Sequence, residues 1–361
     1  MMRFGERFRV TLRGTSHGPE VGVEIEGMPE GFLIDLQEAQ AELDRRRPVG
    51  RRLATRRAEE DQLIVDSGVR DGRAERGSVS MHVANKDVRR EPYDRMRSTP
   101  RPGHADFPAR VRYGDDADLS GGGIFSGRMT VGLVIAGSLA RQLWRTKGVE
   151  FLAFTRSIGS VEGPAAEDAD LASLRMAARS NEIGCPDPRA AGAMEAAIEQ
   201  ARRDGDSLGG VIEARVVGLP VGLGEPFFDS VEGAIAHLAF SVPAIKAIEF
   251  GAGFAASRMS GSAHNDPLIW RDGKVWTRTN HAGGILGGLT VGTPLVFRVA
   301  VKPTASIARE QETVDLDRRE ATRIRVTGRH DPCIVPRAVP VIEAIAAIAL
   351  ADLGLRGGFL P

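Results

Sequence analysis

Lysine is nearly absent from this chain: five residues, Lys86, Lys147, Lys246, Lys274 and Lys302, stand against 43 arginines in 361 positions. Cysteine is scarcer still, and Cys185 and Cys333 are too few for a disulfide framework, which points to a reducing compartment. Neither sign of charge is in excess, with 48 basic and 48 acidic residues, and aromatic residues make up only 5%. A nucleic-acid surface needs a basic face and stacking rings, and neither is evident. Uncharged runs such as Met129 to Ala140 and Ala282 to Phe297 fall short of the ~20 residues of a membrane span. The N-terminus, Met1 to Arg7, is charged throughout and has no apolar core of a secretory signal. These exclusions leave a globular, cytoplasmic protein that needs no membrane and no nucleic acid. Nor does any His-x₃-His or Cys-x₂-Cys spacing suggest a metal.

Glycine, at 43 residues, is abundant, and it is clustered rather than periodic. Tight turns or backbone lying close to a ligand are the physical reasons for such clusters. Between them the chain reads as mixed helix and strand. Val21, Val23 and Ile25 alternate as a half-buried strand. After the turn Gly27 to Gly31, Asp35 is placed to cap a helix through Leu36, Ala39 and Leu43 that ends in Arg45-Arg46-Arg47 before Pro48. A second helix is expected from about Gly127 to Arg145, with Val131, Val134, Ile135 and Leu139 on one face. Strands are expected at Val211–Val217 and Leu295–Lys302, and a last helix, apolar all round and therefore buried, from Val341 to about Leu353. The turn and helix after Gly27 are echoed by Gly218 to Gly222, Asp229 and a helix bearing Val231, Ile235 and Leu238. One βα unit used twice within a single domain, residues 1–361, accounts for the echo.

Three constellations carry chemistry. Arginines crowd at Arg45, Arg46, Arg47, Arg51, Arg52, Arg56 and Arg57, and again from Arg89 to Arg101. The guanidinium fork suits phosphate and carboxylate, so a small polyanion is the functional reading, beside the plainer one of a solvated helix end. The run Ser120-Gly121-Gly122-Gly123-Ile124-Phe125-Ser126-Gly127-Arg128 opens the second helix, where free N–H groups can receive an anion. Asn280 to Gly288 is a second dense glycine set. Finally, His17, His104 and His330 each sit in a loop framed by glycine or proline, two of them with a neighbouring arginine. Histidine is the proton carrier of neutral pH. The residues alone thus describe an enzyme for a small, multiply anionic ligand, with phosphate the favoured group.

Taken together the motifs resemble chorismate synthase. The blocks are Gly14–Gly18, Asp44-Arg45-Arg46-Arg47-Pro48, Arg101-Pro102-Gly103-His104-Ala105-Asp106, Gly121–Gly123, Cys185–Pro188, Gly205–Gly209, Gly222–Pro226, Ser241–Lys246, Asn280–Gly288, Lys302-Pro303-Thr304 and Gly328–Cys333. The resemblance implies a homotetramer of β-α-β sandwiches, an α+β fold. It implies elimination of phosphate from 5-enolpyruvylshikimate 3-phosphate to give chorismate, with reduced FMN and no net redox change. By position it implies substrate contacts at Arg46, Arg52, Arg101, Ser126, Arg128 and Arg329. His17 corresponds to the proton donor to the departing phosphate, His104 to the group that handles the reduced flavin's charge, and Asp331 to a proton-relay carboxylate. Flavin contacts correspond to Ile124, Phe125, Ser126, Pro243, Ala244, Gly287, Lys302, Pro303, Thr304, Ala305, Ser306 and Arg329. Family members differ in whether NADPH reduces their flavin, and the motifs here leave both options open.

One block departs from the family pattern. Where relatives usually read Arg-Gly-Gly-Gly-Arg-Ser-Ser-Ala-Arg-Glu-Thr, this chain has Ser120 to Thr130 with Ile124 and Phe125 in polar positions, and Thr15 replaces the usual Glu before Ser16. Weakened FMN binding with substrate binding kept is the expectation. The alternative is a relative that binds flavin or anionic ligands without the elimination, or acts on a modified substrate.

Overall fold

The computed structural model describes residues 2–47, 60–86, 96–114, 120–164, 170–326 and 330–361. Its principal strands and helices are, in order, β1 (Arg3–Phe4), β2 (Arg9–Gly14), β3 (Glu20–Glu26), α1 (Leu36–Arg46), β4 (Ile64–Ser67), β5 (Ser78–Ala84) and α2 (Thr130–Arg145). There follow β6 (Glu150–Ile158), β7 (Val161–Glu162), β8 (Gly210–Val217), α3 (Val231–Ser241), β9 (Ile245–Phe250), β10 (Leu295–Val301) and α4 (Val335–Arg356). Two five-stranded sheets form, in the orders β1-β2-β3-β5-β4 and β7-β6-β8-β10-β9, with every pairing antiparallel. Helix α2 packs on the first sheet, α4 on the second, and the two helices pack on each other between them. This is a β-α-β sandwich.

The echo in the sequence is a repeat of topology. Leaving aside short hairpins, β7 and two helices inserted between β6 and β8 (Leu171–Arg179 and Pro188–Arg203), each half runs strand, strand, helix, strand, strand, helix: β2-β3-α1-β4-β5-α2, then β6-β8-α3-β9-β10-α4. In each sheet the fourth of these strands inserts between the second and third. The turns leaving β3 and β8 use left-handed glycines at matching places, Gly27 and Gly31 in one and Gly218 and Gly222 in the other. The match fails at one point. Asp35 caps α1, accepting from Glu38 N at 2.9 Å, but α3 is capped by Ser230, whose Oγ accepts from Gly233 N at 2.9 Å. Asp229 instead pairs with Arg356 at 2.9 Å.

The central helices differ from expectation in extent. Residues Gly127–Met129 form a 3₁₀ turn before α2 begins at Thr130. Sandwiched between a sheet and α4, α2 is buried almost all round, so Val131, Val134, Ile135 and Leu139 mark one buried face among several. At the crossing, a Cβ on Gly137 would stand 2.3 Å from Ala344 Cβ, so α2 and α4 meet at this depth because residue 137 has no side chain. Helix α4 begins before Val341, since Pro336 lies in its first turn, where a missing N–H costs nothing. Pro340 lies inside the helix and gives up one backbone bond there. This helix is apolar and long enough to cross a membrane by composition, but its apolar stretch is core, 89% buried inside the fold.

The most deeply buried carboxylate of α4 is Glu343. Glu343 of α4 accepts from Arg45 Nη1 and Nη2 at 2.7 and 3.1 Å, from Arg141 at 3.2 Å and from Ala153 N of β6 at 2.8 Å. It thereby ties α1, α2 and the second sheet to α4. Burial alone would raise its pKa, yet the two arginines and the Ala153 N–H hold it down at about 2.

Candidate active site

One end of the helical layer opens into a cavity of about 650 Å³, within the usual range for small-molecule sites. Its walls are the loop 101–106, the glycine loop 121–128, the segments 240–246 and 302–306, and residues 330–341 at the start of α4. Arg46 reaches it from the end of α1 and Thr130 from the start of α2. With the loop of His17, seven segments far apart in sequence therefore converge on one place.

His17 is 6% exposed and stands against the glycine loop. A Cβ on Gly121, at φ +58°, would fall 1.8 Å from His17 Cε1, and one on Gly122, at φ +91°, 3.3 Å from His104 Cε1. The glycines thus separate two imidazoles that any side chain would displace, a use of glycine the helix-entry reading had not anticipated. Ser16 Oγ donates to Ser120 O at 3.0 Å, so toward His17 Nδ1, 3.1 Å away, it can only accept. That contact puts the neutral ring's proton on Nδ1. Ser126, expected as a contact residue, also caps the 3₁₀ turn by accepting from Arg128 N at 3.3 Å.

The 101–106 loop is built around Asp106, which is 1% exposed. Its Oδ2 accepts from Arg101 Nε at 2.7 Å and Arg101 N at 3.0 Å, and its Oδ1 from Arg101 Nη2 at 2.8 Å. His104 Nδ1 lies 2.9 Å from the same Oδ1. Burial would raise the carboxyl's pKa, but hydrogen bonds from Arg101 and His104 and their charges hold it far below the ordinary range. Arg101 Nη1 reaches Ser306 Oγ at 3.1 Å, and Lys302 Nζ donates to Gly103 O, fastening this loop to the end of β10. Lys302 is itself lowered in pKa, first by burial and then by the charge of Lys246.

Arg46 and Arg128 meet at Asp61. Arg46 donates to Thr130 Oγ1 at 2.9 Å and Gly127 O at 2.8 Å and pairs with Asp61 at 3.4 Å. Arg128 pairs with the other oxygen of Asp61 and donates to Asn85 Oδ1 at 3.0 Å. Asp331 is paired with Arg337, whose Nε donates to Arg46 O at 3.2 Å. His330 also lines the cavity; its Nε2 is shielded and has no hydrogen-bond partner among the described residues. Its pKa is lowered by burial, then by the charge of Arg101, so it stands neutral at pH 7. Ala244 holds a left-handed backbone, φ +75°, on the opposite wall. Such strain in a non-glycine residue persists where the surroundings enforce it, often at functional sites.

The cavity thus gathers His17, Arg46, Arg101, His104, Ile124, Phe125, Ser126, Arg128, Pro243, Ala244, Asp331 and the run Lys302 to Ser306. Gly287 is not among its lining residues; it lies in the turn of the hairpin Ile285–Thr290. Arg52 and Arg329 lie outside the described residues. Sequence reasoning gave no role to Asp61, Asp106, Lys246 or Arg337. Asp106 was inside the quoted block, two positions after His104, and its spacing could have flagged it. Asp61 had no such signal.

With this geometry in hand, comparison with known proteins is specific. A family model described as chorismate synthase matches residues 8–355. The chorismate synthase of Dehalococcoides mccartyi is 45% identical over 357 residues, covering 99% of this chain and 97% of the relative. That of Thermococcus gammatolerans is 46% identical over 352 residues, covering 98% and 97%. A solved chorismate synthase structure superposes with a TM-score of 0.78 at 27% identity, over 98% of this chain and 93% of the other. The chain belongs to the chorismate synthase family.

Proposed function

We propose that this cavity converts 5-enolpyruvylshikimate 3-phosphate to chorismate. The observation that carries the reading is the convergence of three arginines, Arg46, Arg101 and Arg128, and two histidines on one cavity of about 650 Å³. The substrate bears a phosphate and two carboxylates, and the guanidinium fork is suited to both groups. In a 1,4-elimination the phosphate leaves with its bonding electrons, a proton leaves from the far end of the allylic system, and a second ring double bond forms. His17, with Nδ1–H held by Ser16, donates from Nε2 to the departing phosphate when the ring is charged. Asp331 and His104 handle protons on the flavin side. Arg337 pairs with Asp331 and holds its carboxylate in place.

The family uses reduced FMN, and the lining fits it. Ile124, Phe125, Pro243 and Ala244 offer an apolar wall to a flat ring, and Lys246 and Lys302 offer cations to its phosphate. Reduced FMN supplies an electron-rich ring that eases phosphate departure and is regenerated. Self-association as a homotetramer is supported by exposed rings, Phe227, Phe228, Phe254 and Trp270, each at least 75% accessible. Light scattering after size exclusion tests the tetramer.

The test of function is anaerobic chorismate formation from 5-enolpyruvylshikimate 3-phosphate with chemically reduced FMN. Turnover that saturates with FMN supports the reading. No turnover at any flavin concentration, with substrate still bound, makes this a repurposed relative.

A further inference from the structure

We propose that Asp106 is a positioning residue that fixes the tautomer of His104, placing its proton on Nδ1 and leaving Nε2 as the edge offered to the cavity. Two groups compete for Nδ1. Asp106 Oδ1 lies 2.9 Å away and Arg101 Nη2 3.1 Å away. A carboxylate only accepts and a guanidinium only donates, so the two demand opposite tautomers. If Nδ1 were the bare nitrogen, its lone pair would face a buried anionic oxygen at hydrogen-bond distance. If Nδ1 carries the proton, that contact becomes a charge-assisted bond, and Arg101 Nη2 still has Asp106 Oδ1 at 2.8 Å. The carboxylate therefore decides the tautomer.

The same carboxylate aligns Arg101, which meets both its oxygens through Nε and Nη2. One buried anion thus orients an anion-binding group and an acid–base group three residues apart. On the ring's other edge, Nε2 stands 3.4 Å from the position of a Cβ on Gly122, beside the glycine loop. The remaining charged or titratable groups around His104 come from other elements: Lys302, bonded to Gly103 O at the end of β10, and His330, which feels the charge of His104. Neither meets Nδ1.

The role assigned to His104 in turnover rests on the chorismate synthase reading; the tautomer does not. The test is therefore nitrogen NMR of the ¹⁵N-histidine-labelled full chain at alkaline pH, with His104 identified by its absence in His104→Gln. The wild type is expected to show His104 protonated at Nδ1, and Asp106→Asn to shift it toward Nε2–H. In turnover with saturating reduced FMN, Asp106→Asn is expected to lower kcat at least ~100-fold. An Nε2–H tautomer in the wild type overturns the proposal without any variant. So does a folded Asp106→Asn protein in which His104 keeps the Nδ1–H tautomer and kcat is unchanged. Absence of chorismate formation by a wild type with the Nδ1–H tautomer overturns the function and leaves the tautomer assignment standing.

Discussion

The His17 ring fills the space where a side chain on Gly121 would begin: a Cβ there would stand 1.8 Å from Cε1 and 2.1 Å from Nδ1. The glycine is also held at φ +58°, a backbone that side-chain-bearing residues resist. Gly121→Ala must therefore push His17 off its place or reshape the loop. A displacement of about 1 Å in a reacting group can cost on the order of 100-fold, so kcat for chorismate formation should fall by about that much or more. Gly122→Ala, with 3.3 Å to His104 Cε1, should cost less. Full activity in Gly121→Ala would show that His17 does not need this placement.

Much of this arrangement was legible beforehand, for local reasons. Val21, Val23 and Ile25 are all fully buried in β3, because alternation along a strand directly reports its buried face. Asp35 capped its helix as expected, since a cap is decided within four residues. Boundaries that depend on the rest of the fold were not legible. Pro336 and Pro340 hid the start of α4, whose interior proline is carried by packing on all sides. The echo of Asp35 in Asp229 does not extend to capping, because Ser230 is one residue better placed and Asp229 pairs with Arg356. In the site, arginines and histidines stood out by type and spacing, but Asp61, which joins Arg46 to Arg128, is paired only by the tertiary structure.

Glu343 is expected to be a keystone of stability. Replacing it with Ala takes the shared, fully buried carboxylate from Arg45 and Arg141, leaving them to Glu42 and Glu38 alone, and leaves the Ala153 N–H without this acceptor. Removing one partner of a buried ion pair costs about 3–5 kcal/mol, which urea unfolding at neutral pH would register. The native carboxyl sits at about 2 against an ordinary 4.5, so the unfolded chain binds this proton first on acidification. Its stabilisation is complete above the ordinary carboxylate value and drains away as pH falls toward 2. A Glu343→Ala variant whose unfolding midpoint matches the wild type at neutral pH would remove the argument.

His330 gives a second pH dependence in a different window. Its folded pKa lies below the usual 6.5 because burial and then the Arg101 charge oppose the imidazolium. Below 6.5 the unfolded chain therefore takes up a proton that the folded one refuses, and stability falls as pH drops through that range. His330→Gln keeps a polar side chain without the titration. It should flatten the change in thermal midpoint between about pH 7.5 and about pH 5.5; an unaltered slope would mean the imidazole is freely solvated.

Ile124 and Phe125 determine the last expectation, the affinity for reduced FMN. Both line the cavity where the family pattern has arginine and serine, and Phe125 packs toward Tyr113 with ring centroids 6.4 Å apart. An apolar side chain at 124 can shield a flat ring but cannot bond to it. A hydrogen bond to a charged group is worth ~1.5–3 kcal/mol, or about 10–150-fold in affinity. Ile124→Arg is therefore expected to tighten reduced FMN by at least ~10-fold, read anaerobically by flavin fluorescence or absorbance titration. The substrate affinity, which the proposed function assigns to Arg46, Arg101 and Arg128, should stay where it was. Ile124 is 39% exposed, so the new guanidinium has room at the cavity mouth without displacing the core. If the variant binds reduced FMN no better than the wild type, this loop has found another way to hold the flavin, and the polar contacts of the family are dispensable here.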